Sequence, residues 1–263
     1  MGNLQILSNH LLNEYTCQIT ESDLMAALKV LQSKKIFSNT DFEFYIQSSA
    51  TYSSNIEGNS IDIDTYLKNK KFKVKSKPKE MTEIDDLVAA YNFAKSNAIT
   101  MKNFLETHKI LSNHILSLKS QRGKFRNQQV GIFSGGNIEY MAIEADFVKA
   151  EMDKLFKDID YLLVKNLSHV EIFYYASYIH LIFEKIHPFM DGNGRAGRLL
   201  EKWFLTSKLG EIAWAIKSEE YYAKNRPNYY QNIHIGFDYY SLQVSKMLPF
   251  LVMLPQSLII NED

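Results

Sequence analysis

The stretch from Ser168 to Ile186 admits few folds. Ile172, Phe173, Ala176, Ile179, Ile182, Phe183 and Ile186 recur at helical spacing, yet they spread over much of the circumference instead of one stripe. A helix that is apolar on several sides has no face to give to water, so other elements must surround it. Ser168 and Glu171 form the capping-box pattern at its start. His187 precedes Pro188, which biases it away from the helical region, so the helix is expected to end near Ile186 with His187 at its exit. A buried helix is a stiff base from which to present that side chain. His180, on the same helix, reads as a packing residue whose polar atoms find partners inside.

The segment just past this helix is chemically dense. It runs His187-Pro188-Phe189-Met190-Asp191-Gly192-Asn193-Gly194-Arg195-Ala196-Gly197-Arg198. Asp191 offers a hard oxygen ligand, and Mg²⁺ is commonly held by one or two carboxylates together with substrate phosphates. Gly192 and Gly194 permit a backbone whose N–H groups turn inward as an anion nest. Asn193 adds a side-chain amide donor. From Arg195 the chain reads as a helix, with Leu199, Leu200, Trp203 and Phe204 at helical spacing. The start of a helix suits phosphate, and Arg195 and Arg198 lie on one side of its first turn. Each feature alone is ordinary: a glycine turn, a helix-terminal histidine, two solvated arginines. Together they equip a short segment to hold a triphosphate and to take a proton beside it.

The run resembles the signature of the Fic-domain family (Fic/Doc superfamily), His-x-Phe-x-(Asp/Glu)-Gly-Asn-Gly-Arg-x-x-Arg, at every specified position. The resemblance implies a protein adenylyltransferase, a nucleotidyltransferase that moves AMP from ATP to a Ser, Thr or Tyr hydroxyl of a target protein. The Gly-Asn-Gly-Arg form is similar to the AMP-transferring majority; the kinase-like Doc branch departs from it. By this resemblance His187 is the catalytic base and Asp191 the Mg²⁺ ligand. Gly192, Asn193, Gly194, Arg195 and Arg198 hold the nucleotide, with Arg195 at the β-phosphate and Arg198 at the γ-phosphate. Phe189 anchors the loop.

Upstream, Ser53-Ser54-Asn55-Ile56-Glu57-Gly58 resembles the family's inhibitory signature, (Ser/Thr)-x-x-x-Glu-(Gly/Asn). Its place before the core is similar to the class with an N-terminal inhibitory helix. That implies autoinhibition by Glu57 paired with Arg198, because an arginine already gripping a carboxylate cannot also grip a phosphate. Gly58 also reads as an ordinary helix terminator. Two other readings stand beside the transferase: a de-AMPylase in which Glu57 helps water attack, and a non-catalytic nucleotide-sensing module.

The remaining chain reads mostly as α-helix. Expected helices cover a segment capped at Thr20, then Asp41–Glu57, Ile61–Leu67, Thr82–Lys95 and Asn103–Leu118. Val130, Ile132 and Phe133 look strand-like, Gly135-Gly136 signals a turn, and Ile138, Tyr140 and Ile143 return. This hairpin, at 130–143 and after Gly123-Lys124-Phe125-Arg126, resembles the Fic flap that lays a target segment beside the active site. Where the family often has a proline pair after the flap, Tyr140-Met141-Ala142 stands here. Arg226-Pro227-Asn228-Tyr229-Tyr230 resembles a family segment near adenine, which makes Tyr229 and Tyr230 nucleotide-binding candidates.

Fold class is therefore expected to be mostly α, a Fic-type helical core with a small β-hairpin flap. The division is 1–100 as an N-terminal helical region carrying the inhibitory helix, 101–215 as the core, and 216–263 as a C-terminal helical extension of the same unit. Thirty basic residues balance thirty acidic ones, which argues against nucleic-acid binding by bulk charge. The lysine run from Lys68 to Lys79 reads as an exposed linker. Cys17 is the only cysteine, which excludes an intrachain disulfide and fits a reducing compartment. No leader pattern opens the chain and no apolar stretch could span a bilayer, so a cytoplasmic protein without membrane contact is expected. Homodimers are common among similar proteins.

Overall fold

The structure, a computed structural model, describes residues 4–33, 39–72, 78–134 and 136–260. Of the lysine run, Lys73, Lys75 and Lys77 lie outside the described residues, as does Gly135 of the expected turn. Helices lead the chain: α1 (Leu12–Thr16), α2 (Glu21–Ser33), α3 (Asn39–Ile56), α4 (Ile63–Phe72), α5 (Lys79–Lys95) and α6 (Met101–Leu111). An antiparallel hairpin, β1 (Gly131–Ser134) and β2 (Asn137–Met141), interrupts them. Then come α7 (Ala145–Val164), α8 (His169–Ile186) and α9 (Asn193–Leu209). Four short helices close the described chain: α10 (Ser218–Lys224), α11 (Arg226–Ile233), α12 (Leu248–Leu251) and α13 (Met253–Ile259). The mostly α fold with one small hairpin matches the expectation. No helix among the described residues is long and apolar enough to cross a membrane.

Helix α8 is the centre. Every residue from Ile172 to Ile186 is buried, including Glu184 and Lys185. Helices α2, α7, α9, α12 and α13 all pack against it. The expected capping box is present: the Glu171 N–H donates to Ser168 Oγ at 3.3 Å, and the Ser168 N–H donates to Glu171 Oε2 at 2.8 Å. A second cap comes from far away in the chain. Glu21, at the start of α2, accepts from the N–H groups of His169 and Val170 at 3.2 and 2.9 Å. A carboxylate there also suits the positive end of the helix.

Two buried charges hold distant segments to this centre. Asp158 on α7 is 2 % exposed and accepts from the N–H groups of Gln5, Ile6 and Leu7 at 2.7–2.8 Å. The N-terminal strap is thus pinned through its backbone. Lys202 on α9 pairs with Glu219 on α10 at 2.8 Å, and neither side chain reaches solvent. Glu219 also accepts from Tyr91 of α5 and Ser49 of α3. Burial pushes the Glu219 carboxyl up, but Lys202 and the Tyr91 hydroxyl outweigh it and hold it below the usual range.

Element boundaries differ from expectation for local reasons. Helix α6 stops at Leu111, short of Leu118, where the His114 N–H and ring turn to Asp86 on α5. Helix α4 starts behind Asp62, which caps Thr65, and runs on to Phe72. In the hairpin, Val130 and Ile143 fall outside the strands, and the register shifts between Ile132 and Phe133. Such a bulge sharpens local twist. At the end of β2, Met141 donates its N–H to Phe237 O at 2.8 Å and bridges Asp238, so the C-terminal part meets that strand at its last residue.

Asp158→Ala should lower the unfolding free energy by about 2–4 kcal/mol, because three backbone donors lose a charged acceptor at once. Asp158→Asn, which keeps one acceptor oxygen, should cost less. Urea midpoints measure both; an unmoved midpoint for the alanine variant contradicts the pinning role.

Candidate functional site

Helix α8 ends at Ile186, and His187 takes φ 49°, ψ 61°. It is the single non-glycine residue with positive φ among the described residues. Left-handed backbone costs an ordinary residue roughly 1–2 kcal/mol, so its surroundings must hold it. Arg126 does so: its Nε donates to His187 O at 2.8 Å, its backbone N–H donates to Pro188 O at 2.9 Å, and another guanidinium nitrogen donates to Ile143 O. Phe189 is fully buried and stacks on His108 with ring centroids 3.5 Å apart. The expected anchor role of Phe189 is what the packing displays.

The loop is closed from inside. Asn193, expected to offer its amide to a phosphate, spends both ends on Phe189: Oδ1 accepts the Phe189 N–H and Nδ2 donates to Phe189 O, each at 2.9 Å. Helix α9 therefore begins at Asn193, two residues before Arg195. His108, on α6, contributes a second clamp. Its Nδ1 accepts the Gly123 N–H and its Nε2 donates to Asp191 O, both at 3.0 Å. Burial lowers the His108 pKa to about 4, which keeps the neutral tautomer this pattern requires. Gly192, at φ 81°, lies against Leu111 and His108, where a Cβ would be tight. Sequence reasoning misses His108, because an isolated histidine on an amphipathic helix carries no signal for such a role. Arg126 is likewise legible only as part of the approach to the hairpin.

Arg198 is completely buried and fully engaged. Nε donates to Ser53 Oγ at 2.9 Å, Nη1 to the Tyr229 hydroxyl at 3.1 Å, and Nη2 to Ser53 O at 3.0 Å and Glu57 Oε1 at 2.7 Å. Glu57 follows the last residue of α3, where Gly58 at φ 97° ends the helix. Its carboxylate also presses on Gly194, so that a Cβ at that position would collide with Oε1. Burial pushes the Glu57 carboxyl up, but Arg198 and then Arg195 outweigh it, and the net shift is downward. Arg195 itself sits 3.5 Å from Glu83 Oε2 and 3.8 Å from Asp191 Oδ1. It lies behind the loop.

A cavity of about 750 Å³ opens between the loop, the hairpin and α11. Glu57, Glu184, His187, the Gly192–Gly194 backbone and Arg198 form one wall, from which Arg195 is absent. Val130 to Phe133 with Tyr140 form the second, and Tyr229 and Tyr230 belong to the third. The volume lies in the usual range for a site that takes a molecule of nucleotide size. Tyr229 is buried, its hydroxyl between Arg198 and His180. Tyr230 is part-exposed and donates its hydroxyl to Ile56 O at 3.0 Å, capping α3. His180 satisfies its polar atoms on Glu201 and Tyr229, in keeping with a packing role. Burial lowers the His187 pKa to about 4, so its ring is neutral at pH 7. Asp191 keeps a half-exposed carboxylate, with Oδ1 taking the Gly192 N–H at 2.6 Å. No group of three acidic, His or Cys side chains suited to a metal ion occurs among the described residues. A cation here would have to complete its shell with water and ligand phosphates, which is how Mg²⁺ is commonly bound.

Comparison with known proteins points to one family. Residues 98–205 match the family described as Fic/DOC family. A protein adenylyltransferase Fic of Drosophila persimilis is 31 % identical over 102 residues, covering 39 % of this chain and 18 % of that protein. One of Culex quinquefasciatus is 30 % identical over 167 residues, covering 60 % and 31 %. The chain thus spans less than a third of the length of these relatives. Among solved structures, a Fic family protein from Desulfovibrio desulfuricans G20 superposes with a TM-score of 0.75 at 20 % identity, over 98 % of this chain and 75 % of that one. A Fic domain containing signaling protein from Bacteroides thetaiotaomicron VPI-5482 gives 0.70 at 17 % identity, over 90 % and 93 %. At these identities the two structures speak for the fold alone. Residues 98–205, with the His187–Arg198 run inside them, carry the chain's similarity to the Fic/DOC family.

Proposed function

We propose that this protein is an autoinhibited protein adenylyltransferase that transfers AMP from ATP to a hydroxyl side chain of a target protein. The observation that carries the reading is convergence in one cavity. A neutral imidazole at His187, the free N–H groups at the start of α9 and the Glu57–Arg198 pair all face the same space. On this reading 101–215 is the catalytic core, preceded by the region that carries α3 and followed by a C-terminal extension.

His187 accepts the proton of the target hydroxyl, whose oxygen attacks the α-phosphorus as pyrophosphate leaves. A base of this kind contributes about 10²–10⁴-fold. The Gly192–Gly194 backbone and the α9 N-terminus steady the phosphates. Asp191 is the residue that would hold Mg²⁺, which when bound supplies charge neutralisation across the phosphates. Arg198 takes the γ-phosphate once Glu57 has left it. Until then the Glu57 carboxylate blocks the guanidinium, presses on Gly194 and repels a triphosphate. Tyr229 and Tyr230 flank the base end of the nucleotide. The hairpin receives the target segment.

Glu57 is ionised and lines the same cavity as His187, which also favours a hydrolytic, AMP-removing activity of that carboxylate. Measuring addition and removal of AMP in wild type and Glu57→Gly separates the two directions. A nucleotide sensor would bind ATP labelled at the α-phosphate and transfer none of it.

Glu57→Gly should raise self- or target-labelling about tenfold or more, since it frees a buried arginine whose pairing is strong. Unchanged or lower labelling contradicts inhibition by Glu57. In that background His187→Ala should lose about 10²–10⁴-fold in transfer while ATP binding persists; retained transfer removes His187 as the base. The acid limb of kcat/KM should fall near pH 4, because burial keeps His187 unprotonated until the pH drops through that value. Removing Glu57 also removes a carboxylate that raises this pKa, so the variant's limb should not move upward. A limb near 6.5, the ordinary histidine value, would contradict the buried, neutral base.

A further inference from the structure

Lys185 is a buried cation that no anion touches: the charge of Glu184 acts on it only at longer range. Its residue is 2 % exposed, yet it forms part of the cavity wall. Among the described residues its ammonium has no hydrogen-bond acceptor and no ion-pair partner; its close neighbour is the face of the Tyr140 ring, 4.3 Å away. A ring face answers an ammonium's lost hydration only in part. Burial lowers the amine's pKa to about 8, so it remains mostly charged at pH 7. Glu139, on β2, lines the same cavity but does not pair with it.

The direction of this side chain separates it from the phosphate cradle. Tyr140 on β2 donates its hydroxyl to Lys185 O at 2.6 Å, tying the residue to the hairpin. Glu184, one position earlier, turns the other way: its Oε1 lies where a Cβ on Gly197 of α9 would intrude. Gly194, Arg198 and the α9 N-terminus belong to that opposite side. The ammonium therefore faces the hairpin half of the cavity, close enough to His187 to depress its pKa.

We propose that Lys185 binds a carboxylate of the target, an Asp or Glu side chain adjacent in sequence to the hydroxyl that receives AMP. The assignment rests on the transferase reading. It makes Lys185 a specificity-determining contact on the acceptor, with no part in holding the donor. Pairing would supply the contacting anion that the folded chain withholds, and a neutral side chain at the same place would leave the ammonium without one.

The test uses the full chain carrying Glu57→Gly, ATP labelled at the α-phosphate, and a library of short peptides. Each peptide has one Ser, Thr or Tyr acceptor flanked by Asp, Asn or Lys. The expected result is about a tenfold higher kcat/KM for Asp over Asn at one flanking position, from a close charge pair. Lys185→Met should abolish that preference, Lys185→Arg should keep it, and Lys185→Glu should turn it toward Lys peptides. Calorimetry with ATP checks folding and the donor site in every variant, with affinity expected to be retained. Equal preferences with and without Lys185 overturn the proposal. So does a Lys185→Met variant that loses ATP affinity with its peptide preference intact, which would assign the ammonium to the donor. If no peptide is labelled while His187-dependent self-labelling persists, local carboxylate recognition is overturned alone; if self-labelling is absent too, the transferase reading falls as well.

Discussion

A charge sealed from water must always have company, and Arg198 is such a charge. Its guanidinium joins α9 to α3 through Ser53 and Glu57, and to α11 through Tyr229. Removing one partner from a buried pair typically costs about 3–5 kcal/mol, whereas exchanging one anion for another costs much less. On the proposed reading this makes release from inhibition an exchange. Glu57 leaves readily only when another anion can take its place, and a triphosphate is the anion the cradle suits. Ser53 and Tyr229 hold the arginine alongside Glu57, so its orientation does not rest on that partner alone.

The reactive loop depends on a different kind of constraint. His187 holds a backbone conformation that an unsupported residue would abandon. Arg126, Asn193, His108 and the buried Phe189 ring all act on the loop's backbone or its anchor, leaving its reactive groups free. These clamps come from α6, from the approach to the hairpin and from α9. A site assembled this way is rigid because several separately folded elements would have to shift before it could.

Much of this is legible in the residues. The span of α8, its capping box and its end before Pro188 come from periodicity and local sterics, which act within a few positions of the chain. The His187–Arg198 run stands out by density and Glu57 by its place in a short pattern, and His187, Arg198 and Glu57 line one cavity. The hidden part depends on partners far away in sequence. His108 meets Asp191 across 83 positions, and Asp158 meets Leu7 across 151. Nothing in an amphipathic stripe reports such pairings. Asn193 misleads for a related reason: an amide in a glycine turn can face outward or inward, and only the position of Phe189 decides. Helix α6 reads too long because its pattern continues past Leu111, while Asp86 of α5 draws His114 out of helical register.

The C-terminal segment at Phe237 and Asp238 meets the outer rim of β2 at its last residue, Met141. Strands can be added to a two-stranded ribbon at either border, and here one border is already engaged at one end. The β1 side, Gly131 to Ser134, has no such backbone contact among the described residues, and its Gly131, Ile132 and Phe133 line the cavity. On the proposed reading, a target segment that pairs along β1 therefore lies over residues that share a cavity with the imidazole.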